Sequence, residues 1–264
     1  MGGDLNAISQ IVDAAKDLET IKESDRALAI FPRAFRGLLC SMEIWSMQRE
    51  YKVREVAKLL SHKLESLNPE KIIDAPCHIA VPALQALSYS MDSNDLKEMY
   101  ASLLAKAMNS DFTESVHPGF VELIKQMSPL DAIMLKEISK AIAIPYINLV
   151  VNLKIITTSE MGTITTFHFF TEYSISCLDI NSVSISVSNL IRLGLVTNPP
   201  GTFFANTSVY VPLEESTSIK NLSAQTSMLY SSISTVEFAG MENERRRLDI
   251  TPYGKQFVLI CLQD

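Results

Sequence analysis

The clearest hydrophobic pattern of the chain runs from Leu84 to Ile138, where three apolar stripes at helical spacing follow one another. A helix-start signal precedes each stripe: Asp92 the first, His117-Pro118 the second, and Ser128-Pro129-Leu130-Asp131 the third. Capping side chains satisfy the free N–H groups of a first helical turn, and a proline there loses no hydrogen bond. The pattern therefore predicts three successive helices. Their predicted inward residues are Leu96, Met99, Tyr100, Leu103, Leu104, Phe120, Leu123, Ile124, Ala132, Leu135 and Ile138.

The chain before this stretch is also helical in pattern. Residues 1–25 are predicted to form one amphipathic helix, and Arg26–Gln48 and Arg49–Leu67 two more. The first helix could pack on its own chain, on another copy or on a membrane surface, and its weakly basic polar face argues against the membrane. The charged run from Arg33 to Lys58 is typical of a solvated helix face, with an anionic docking patch as the alternative. A short helix is predicted to begin at Pro82.

After Lys140 the hydrophobic period changes from helical to extended. Short segments rich in β-branched and aromatic residues alternate with turn signals, which predicts strands, and a serine-rich helix stopped by Gly194 interrupts them. The predicted strands are Tyr146–Thr158, Gly162–Phe169, Leu195-Val196, Phe203–Leu213 and Arg246–Ile250, and the predicted helices are Asn181–Leu193, one within Ser216–Ser232 and one from Pro252.

These patterns predict a mainly α protein of the α+β class with two domains. Residues 1–127 would form a multi-helix domain and residues 128–264 a smaller winged-helix-like domain. The second expectation rests on element order alone: helix, helix, glycine stop, strand, turn, strand and closing helix. Element order is an analogy of fold and does not establish function.

Several blocks of the chain carry a family resemblance. They are Asp95–Met108, Val116–Val121, Met127–Ala132, Asn189–Val196 and Leu248–Phe257. In their order and spacing, over about Tyr51 to Leu262, they resemble the bacterial abortive-infection alpha family. The resemblance implies a bacterial protein of phage defence. It implies no catalytic residues, because the family has no established activity.

Composition narrows the classes of function. An apolar fraction of 47% with 20% charged residues is typical of a globular chain, and a net charge of −7 argues against a general nucleic-acid binder. The scattered Cys40, Cys77, Cys177 and Cys261 predict free thiols in a reducing cytoplasm. Asp4 stands where a secretory signal would be basic, and Ala141–Ile156 is too short to span a bilayer, so we expect a cytoplasmic protein without a transmembrane segment.

No local motif for catalysis or nucleotide binding occurs in the chain. It contains no GxGxxG, GxxxxGK[ST], GxSxG or HExxH. Cys77-His78 lacks a second pair with ligand spacing, so we expect neither a metal nor a cofactor. His117 is interpreted as a residue of a helix start, and Asp92 and Asp95 as capping carboxylates. An enzyme with a dispersed site stays open as an alternative, although the sequence favours a protein without enzymatic activity.

Two classes of partner remain. The leading hypothesis is a non-enzymatic protein of phage defence that acts through contacts with a protein partner or another copy. The first alternative is a transcriptional regulator that uses the winged-helix-like half to bind DNA. Its nucleic-acid contacts would come from Asn189, Arg192, Arg245, Arg246 and Arg247, which could reach bases and phosphates. Because Glu242 and Glu244 adjoin the three arginines, nucleic-acid binding is the less favoured prediction.

Overall fold

The structure is a computed structural model that describes residues 59–65, 67–87, 93–176 and 179–263. It divides between Gln126 and Met127 into two compact units, and the residues from Leu259 onward belong to the first. The helices predicted over residues 1–25 and Arg26–Gln48, and the charged run Arg33–Lys58, lie outside the described residues. The assignment of 1–127 and 128–264 as independently folding domains stays a prediction.

The described part of the first unit is helical. Residues 59–65 form a helical segment, and short 3₁₀ turns occupy Pro69–Lys71 and Thr113–Ser115. The named helices are α1 (Cys77–Leu87), α2 (Asn94–Ala107) and α3 (Gly119–Lys125). Their buried side chains include Leu84, Leu87, Met99, Tyr100, Leu103, Leu104, Phe120 and Ile124. The apolar stripes predicted for α2 and α3 are thus confirmed as the inward faces of both helices.

The start of α1 differs from the prediction. The helix begins at Cys77, five residues earlier, and Pro82 lies inside it. The Pro76 carbonyl accepts the N–H groups of Ile79 and Ala80 at 2.9 Å, which closes the first turn. Proline at position 82 removes one hydrogen bond to the carbonyl of His78, and that residue is exposed to water. Burial of the apolar residues around Pro82 therefore outweighs the preference of proline for the first turn of a helix.

The starts of α2 and α3 show how local signals work. Ser93 caps α2 by accepting the N–H of Leu96, whereas the predicted cap Asp92 lies outside the described residues. His117 Nδ1 accepts the N–H of Gly119 at 3.0 Å, which confirms its predicted role at a helix start. Both contacts satisfy N–H groups that have no partner within the helix.

The second unit mixes helices and strands, which confirms the α+β class. The strands form one antiparallel sheet in the order β2-β1-β4-β3. Their bounds are β1 (Ala143–Ile155), β2 (Met161–Phe170), β3 (Val196–Thr197) and β4 (Val236–Ile250). The helices are α4 (Pro129–Ser139), α5 (Glu172–Ser176), α6 (Ile180–Arg192), α7 (Val211–Glu215), α8 (Thr217–Ser231) and α9 (Pro252–Cys261), of which residues 259–261 are counted with the first unit.

Two predicted helix boundaries in this unit are confirmed. At the start of α4, Ser128 accepts the N–H of Asp131 and the Asp131 carboxylate accepts the N–H of Ser128, which forms a reciprocal capping box. At the end of α6, Gly194 adopts φ +72°, a left-handed conformation that glycine reaches without steric cost.

The strand predicted over Phe203–Leu213 is wrong. A 3₁₀ turn occupies Thr207–Tyr210 and leads directly into α7. Asn206 caps the turn by accepting the N–H of Ser208, and the buried Tyr210 donates its hydroxyl to the carbonyl of Arg246 at 2.9 Å. The alternating pattern thus reflects a turn that buries one tyrosine against β4, rather than a strand.

One hydrophobic cluster of the second unit joins the sheet to the segment after β3. Ile147 and Leu149 of β1 and Phe167 and Phe170 of β2 pack against side chains from the 3₁₀ turn, α7 and α8. These partners are Tyr210, Leu213 and Ile219. Opposite Ile147 and Leu149 the β1–β2 ladder shifts register twice, so β2 bulges near its end.

Candidate functional site

The exposed face of α6 is the first candidate surface. Asn181, Ile185, Ser188 and Arg192 are exposed at helical spacing, and the Ile185 side chain is 68% exposed. The opposite face buries Val183, Ser186, Val187 and Leu190. Helix α6 contacts α4, α5, β2 and β3, so the body of the unit holds the helix and leaves one stripe outward, which is uncharged until Arg192 at its end.

Two of the predicted nucleic-acid residues meet on this helix. Arg192 Nε donates to Asn189 Oδ1 at 2.9 Å, and Asn189 Nδ2 donates to Asp131 Oδ2 at 2.9 Å. The same Asp131 oxygen accepts the N–H of Ser128 in the capping box. The Asn189 amide therefore joins α6 to α4, and both of its polar atoms are engaged within the protein.

The other three predicted residues lie in β4, and each pairs with a carboxylate. Arg245 makes two hydrogen bonds to Glu214 of α7, at 2.7 and 2.9 Å, and its guanidinium lies 5.7 Å from the centre of the Tyr210 ring. Arg246 pairs with Glu244, and Arg247 donates to Asp249 at 3.0 Å. The hydrogen bond from Arg246 lowers the pKa of Glu244, although partial burial opposes the shift.

This pairing changes what the arginines can do. Phosphate binding depends on cations that neutralise backbone charge, and a cation already held by a carboxylate contributes less. The structure brings Asn189 and Arg192 together on α6, and it aligns the arginines along β4. A phosphate would compete with Glu214, Glu244 and Asp249 for them.

A polar cluster that the sequence did not indicate surrounds Asn148. This side chain, only 8% exposed, donates to Glu244 Oε2 at 2.8 Å and accepts the N–H of Phe169 at 3.1 Å. Phe169 has φ +59°, which is strained for an aromatic residue, and its ring centre lies 5.1 Å from that of Tyr146. Burial raises the pKa of Tyr146. The available signal was an asparagine inside the apolar run Ile147 to Val151.

The geometry of this cluster is that of a structural link. One Glu244 oxygen accepts from Asn148 and the other from Arg246, so the carboxylate joins β1 to its own strand. The Asn148 amide replaces a ladder hydrogen bond at the β2 bulge. Among the described residues no three His, Cys, Asp or Glu side chains gather into a metal site, and no helix there is long and apolar enough to cross a bilayer.

Comparison with known proteins identifies the family. The family model described as abortive infection alpha matches residues 48–261, which is most of the chain. The chain belongs to the abortive infection alpha family. A comparison with curated proteins found no match. Among solved structures it is similar to an uncharacterized protein from the hydrocarbon-degrading marine bacterium Alcanivorax borkumensis SK2. The identity is 13%, the TM-score is 0.31, and the match covers 58% of this chain and 96% of the other.

The two closing blocks of the family resemblance meet in the structure of this abortive infection alpha protein. Thr251 donates its N–H and its hydroxyl to the carbonyls of Leu195 and Gly194, at 3.1 and 2.6 Å. The N–H of Gly254 then donates to the Thr251 hydroxyl at 2.8 Å. A Cβ atom on Gly254 would lie 2.0 Å from the Leu195 carbonyl oxygen, so only glycine fits this approach. The blocks thus carry a backbone contact of the fold.

Proposed function

We propose that this abortive infection alpha protein acts in bacterial phage defence, in the cytoplasm, through protein contacts made by its second unit. The observation that carries the proposal is the exposed face of α6, which presents Ile185 between the neutral side chains of Asn181 and Ser188, with Arg192 at the end of the helix. A large apolar side chain on a helix that the body of the unit holds in place can serve as the central anchor of a protein interface. No enzymatic step is part of this proposal.

The element order supports a winged-helix-like second unit. Helix α4, strand β1, helices α5 and α6, and strands β3 and β4 follow one another, and β4 lies between β1 and β3 in the sheet. This is the order of a winged helix with β2 added beside β1 and with α7 and α8 inserted before β4. Helix α6 then takes the position of the recognition helix.

The chemistry of α6 favours a protein over DNA. A recognition helix that reads DNA presents polar and cationic side chains to base edges and phosphates. Here the middle of the face is Ile185, Arg192 already donates to Asn189, and the chain carries a net charge of −7. Burial of this apolar side chain against a protein partner contributes free energy in proportion to the apolar area removed from water.

The test is the variant Ile185→Asp in the native host during phage challenge. We expect protection and the amount of co-purified partner to fall at least about tenfold, because a buried interface anchor becomes charged. The matched control is Met228→Asp on α8, where the native side chain is 79% exposed. This variant should retain both the protection against phage and the co-purified partner. Equal protection by the wild type and Ile185→Asp would contradict the proposal, and so would a host whose phage sensitivity does not depend on the gene.

The second candidate function is a DNA-binding regulator, favoured by the exposure of Asn181 and Arg192 on α6. Its test is retention of duplex DNA by the purified protein at low salt, where phosphate contacts are strongest. Retention that Arg192→Ala abolishes would support it. A protein that retains no DNA under these conditions is not a DNA-binding regulator.

A further inference from the structure

Strand β2 lies at the edge of the sheet. It pairs with β1, and across the described ranges no strand pairs with its other side. The N–H and C=O groups along such an edge can pair with another chain. Residues 161–164 are all exposed, whereas Phe167 and Phe170 near the other end are buried in the core. The open part of the edge is therefore the first half of β2.

This edge lacks the usual protection against pairing. Strand β2 reads Met161-Gly162-Thr163-Ile164-Thr165-Thr166-Phe167-His168-Phe169-Phe170, without a charged residue or a proline. Native sheets guard exposed edges with lysine, proline, bulges or short strands. The bulges of β2 lie beyond Thr165, so the exposed segment keeps a regular ladder that can accept a further strand. Ile164 is 46% exposed and Met161 64% exposed.

We infer that β2 pairs antiparallel with β2 of a second copy, across a two-fold axis at Ile164. In this register Ile164 lies opposite itself and Thr163 lies opposite Thr165. Opposed threonines and opposed β-branched residues are favourable cross-strand pairs. Two four-stranded sheets then form one sheet of eight strands.

Charge and symmetry favour a second copy as the occupant. Each chain carries a net charge of −7, which keeps two copies apart over most of their surface, but β2 of a second copy brings no charged side chain to the contact. The pairing is isologous and uses the β2 edge of both copies, which closes the assembly at a dimer. Strand β4 cannot continue it in the same way, because its exposed stretch carries Glu237, Glu242 and Glu244 beside the arginines.

The test is the mass of the purified full-length protein by size-exclusion chromatography with light scattering. We expect the wild type to have twice the mass of one chain. Ile164→Lys and Ile164→Glu should each raise the dimer dissociation constant at least about tenfold, because like charges then face each other across the axis. Mixing the two variants should restore a dimer, because opposite charges then meet, and this restoration also shows that both variants fold. Met228→Lys on α8 is the control and should stay dimeric.

Other results would overturn the inference. A wild type that is monomeric at every concentration excludes a second copy at β2. A dimer that survives in Ile164→Lys, or that the Met228→Lys control loses, places the interface elsewhere. A monomer that instead captures a different protein through β2 assigns the edge to that protein. None of these outcomes bears on phage protection, so the inference and the proposed function can fail separately.

Discussion

Strands β2 and β4 both expose an edge, and they differ in charge. The short β3 covers only Asp249 and Ile250 of β4, so most of that strand's outer edge has no strand partner in the described part of the chain. Strand β4 carries seven charged residues between Glu237 and Asp249, whereas β2 has none. The arginines of β4 are held by carboxylates of the same chain. Charged side chains thus protect the β4 edge against pairing with another strand, and their absence leaves the β2 edge open to a partner.

The largest loss of stability should come from disturbing the contact beside β3, the short strand that pairs with the end of β4. Gly254→Ala would push a methyl group into the Leu195 carbonyl, next to β3, and we expect a loss of about 3 kcal/mol in the free energy of unfolding. Urea denaturation measures it. The control is Gly162→Ala on the open β2 edge, where a Cβ would have no neighbour within 4 Å. That change should cost less than about 0.5 kcal/mol. Equal losses of stability in Gly254→Ala and Gly162→Ala would contradict the expected difference between the region beside β3 and the open edge of β2.

A smaller loss should follow from cutting the link between β2 and β4. Asn148→Leu removes the donor to Glu244 and the acceptor of the Phe169 N–H, and we expect a cost of about 2 kcal/mol. Thermal or urea unfolding checks it. Asn152→Leu, in the same strand and half-buried, is the control and should cost less than about 1 kcal/mol. A variant as stable as the wild type would show that the cluster adds nothing to the sheet.

The contribution of the Glu244 carboxylate in β4 to the free energy of unfolding should depend on pH. Because the pKa of Glu244 lies below its ordinary value of 4.5 in the folded state, its contribution is present above that pH and is lost as pH falls through the folded pKa. Glu244→Gln should therefore destabilise the protein at pH 7 by no more than about 1 kcal/mol and less in acid. Urea midpoints at both pH values test this. The control is Glu242→Gln, two residues away in β4. A stability difference between the wild type and Glu244→Gln that grows in acid would contradict the prediction.

The smallest effect on stability should come from giving β2 a charge. Thr163 is exposed, so Thr163→Lys should change the free energy of unfolding by less than about 0.5 kcal/mol. The same change places a lysine at the unprotected edge, and the dimer should weaken. Calorimetry and light scattering on one sample separate the two effects. A large loss of stability would show that the edge already serves the fold of a single chain.

Several elements were predictable because their causes are local. The capping box at Ser128, the glycine stop at Gly194 and the role of His117 each depend on residues within three or four positions. Strands β1 and β2 were confirmed because β-branched residues continue through both. Pro82 and the segment Phe203–Leu213 were missed, since burial of neighbouring side chains outweighed local preference there.

The candidate site was predictable only in part. The arginines of β4 and the polar residues of α6 could be named from the sequence, and the carboxylates that pair with Arg246 and Arg247 each lie two residues away in the same strand. Their role in nucleic-acid binding stays a prediction. The exposure of Ile185 could not be foreseen, because the face of α6 that meets the core depends on where α4 and β2 pack.

The sequence by itself determined the family, the α+β class and the helix boundaries that side chains set within one turn. Only the tertiary structure decided which charges are engaged and which edge is open. Glu214 meets Arg245 across 31 residues and Asn148 meets Glu244 across 96. A hydrogen bond between such distant residues depends on strand register and helix packing, which are decided only when the distant segments of the chain pack together.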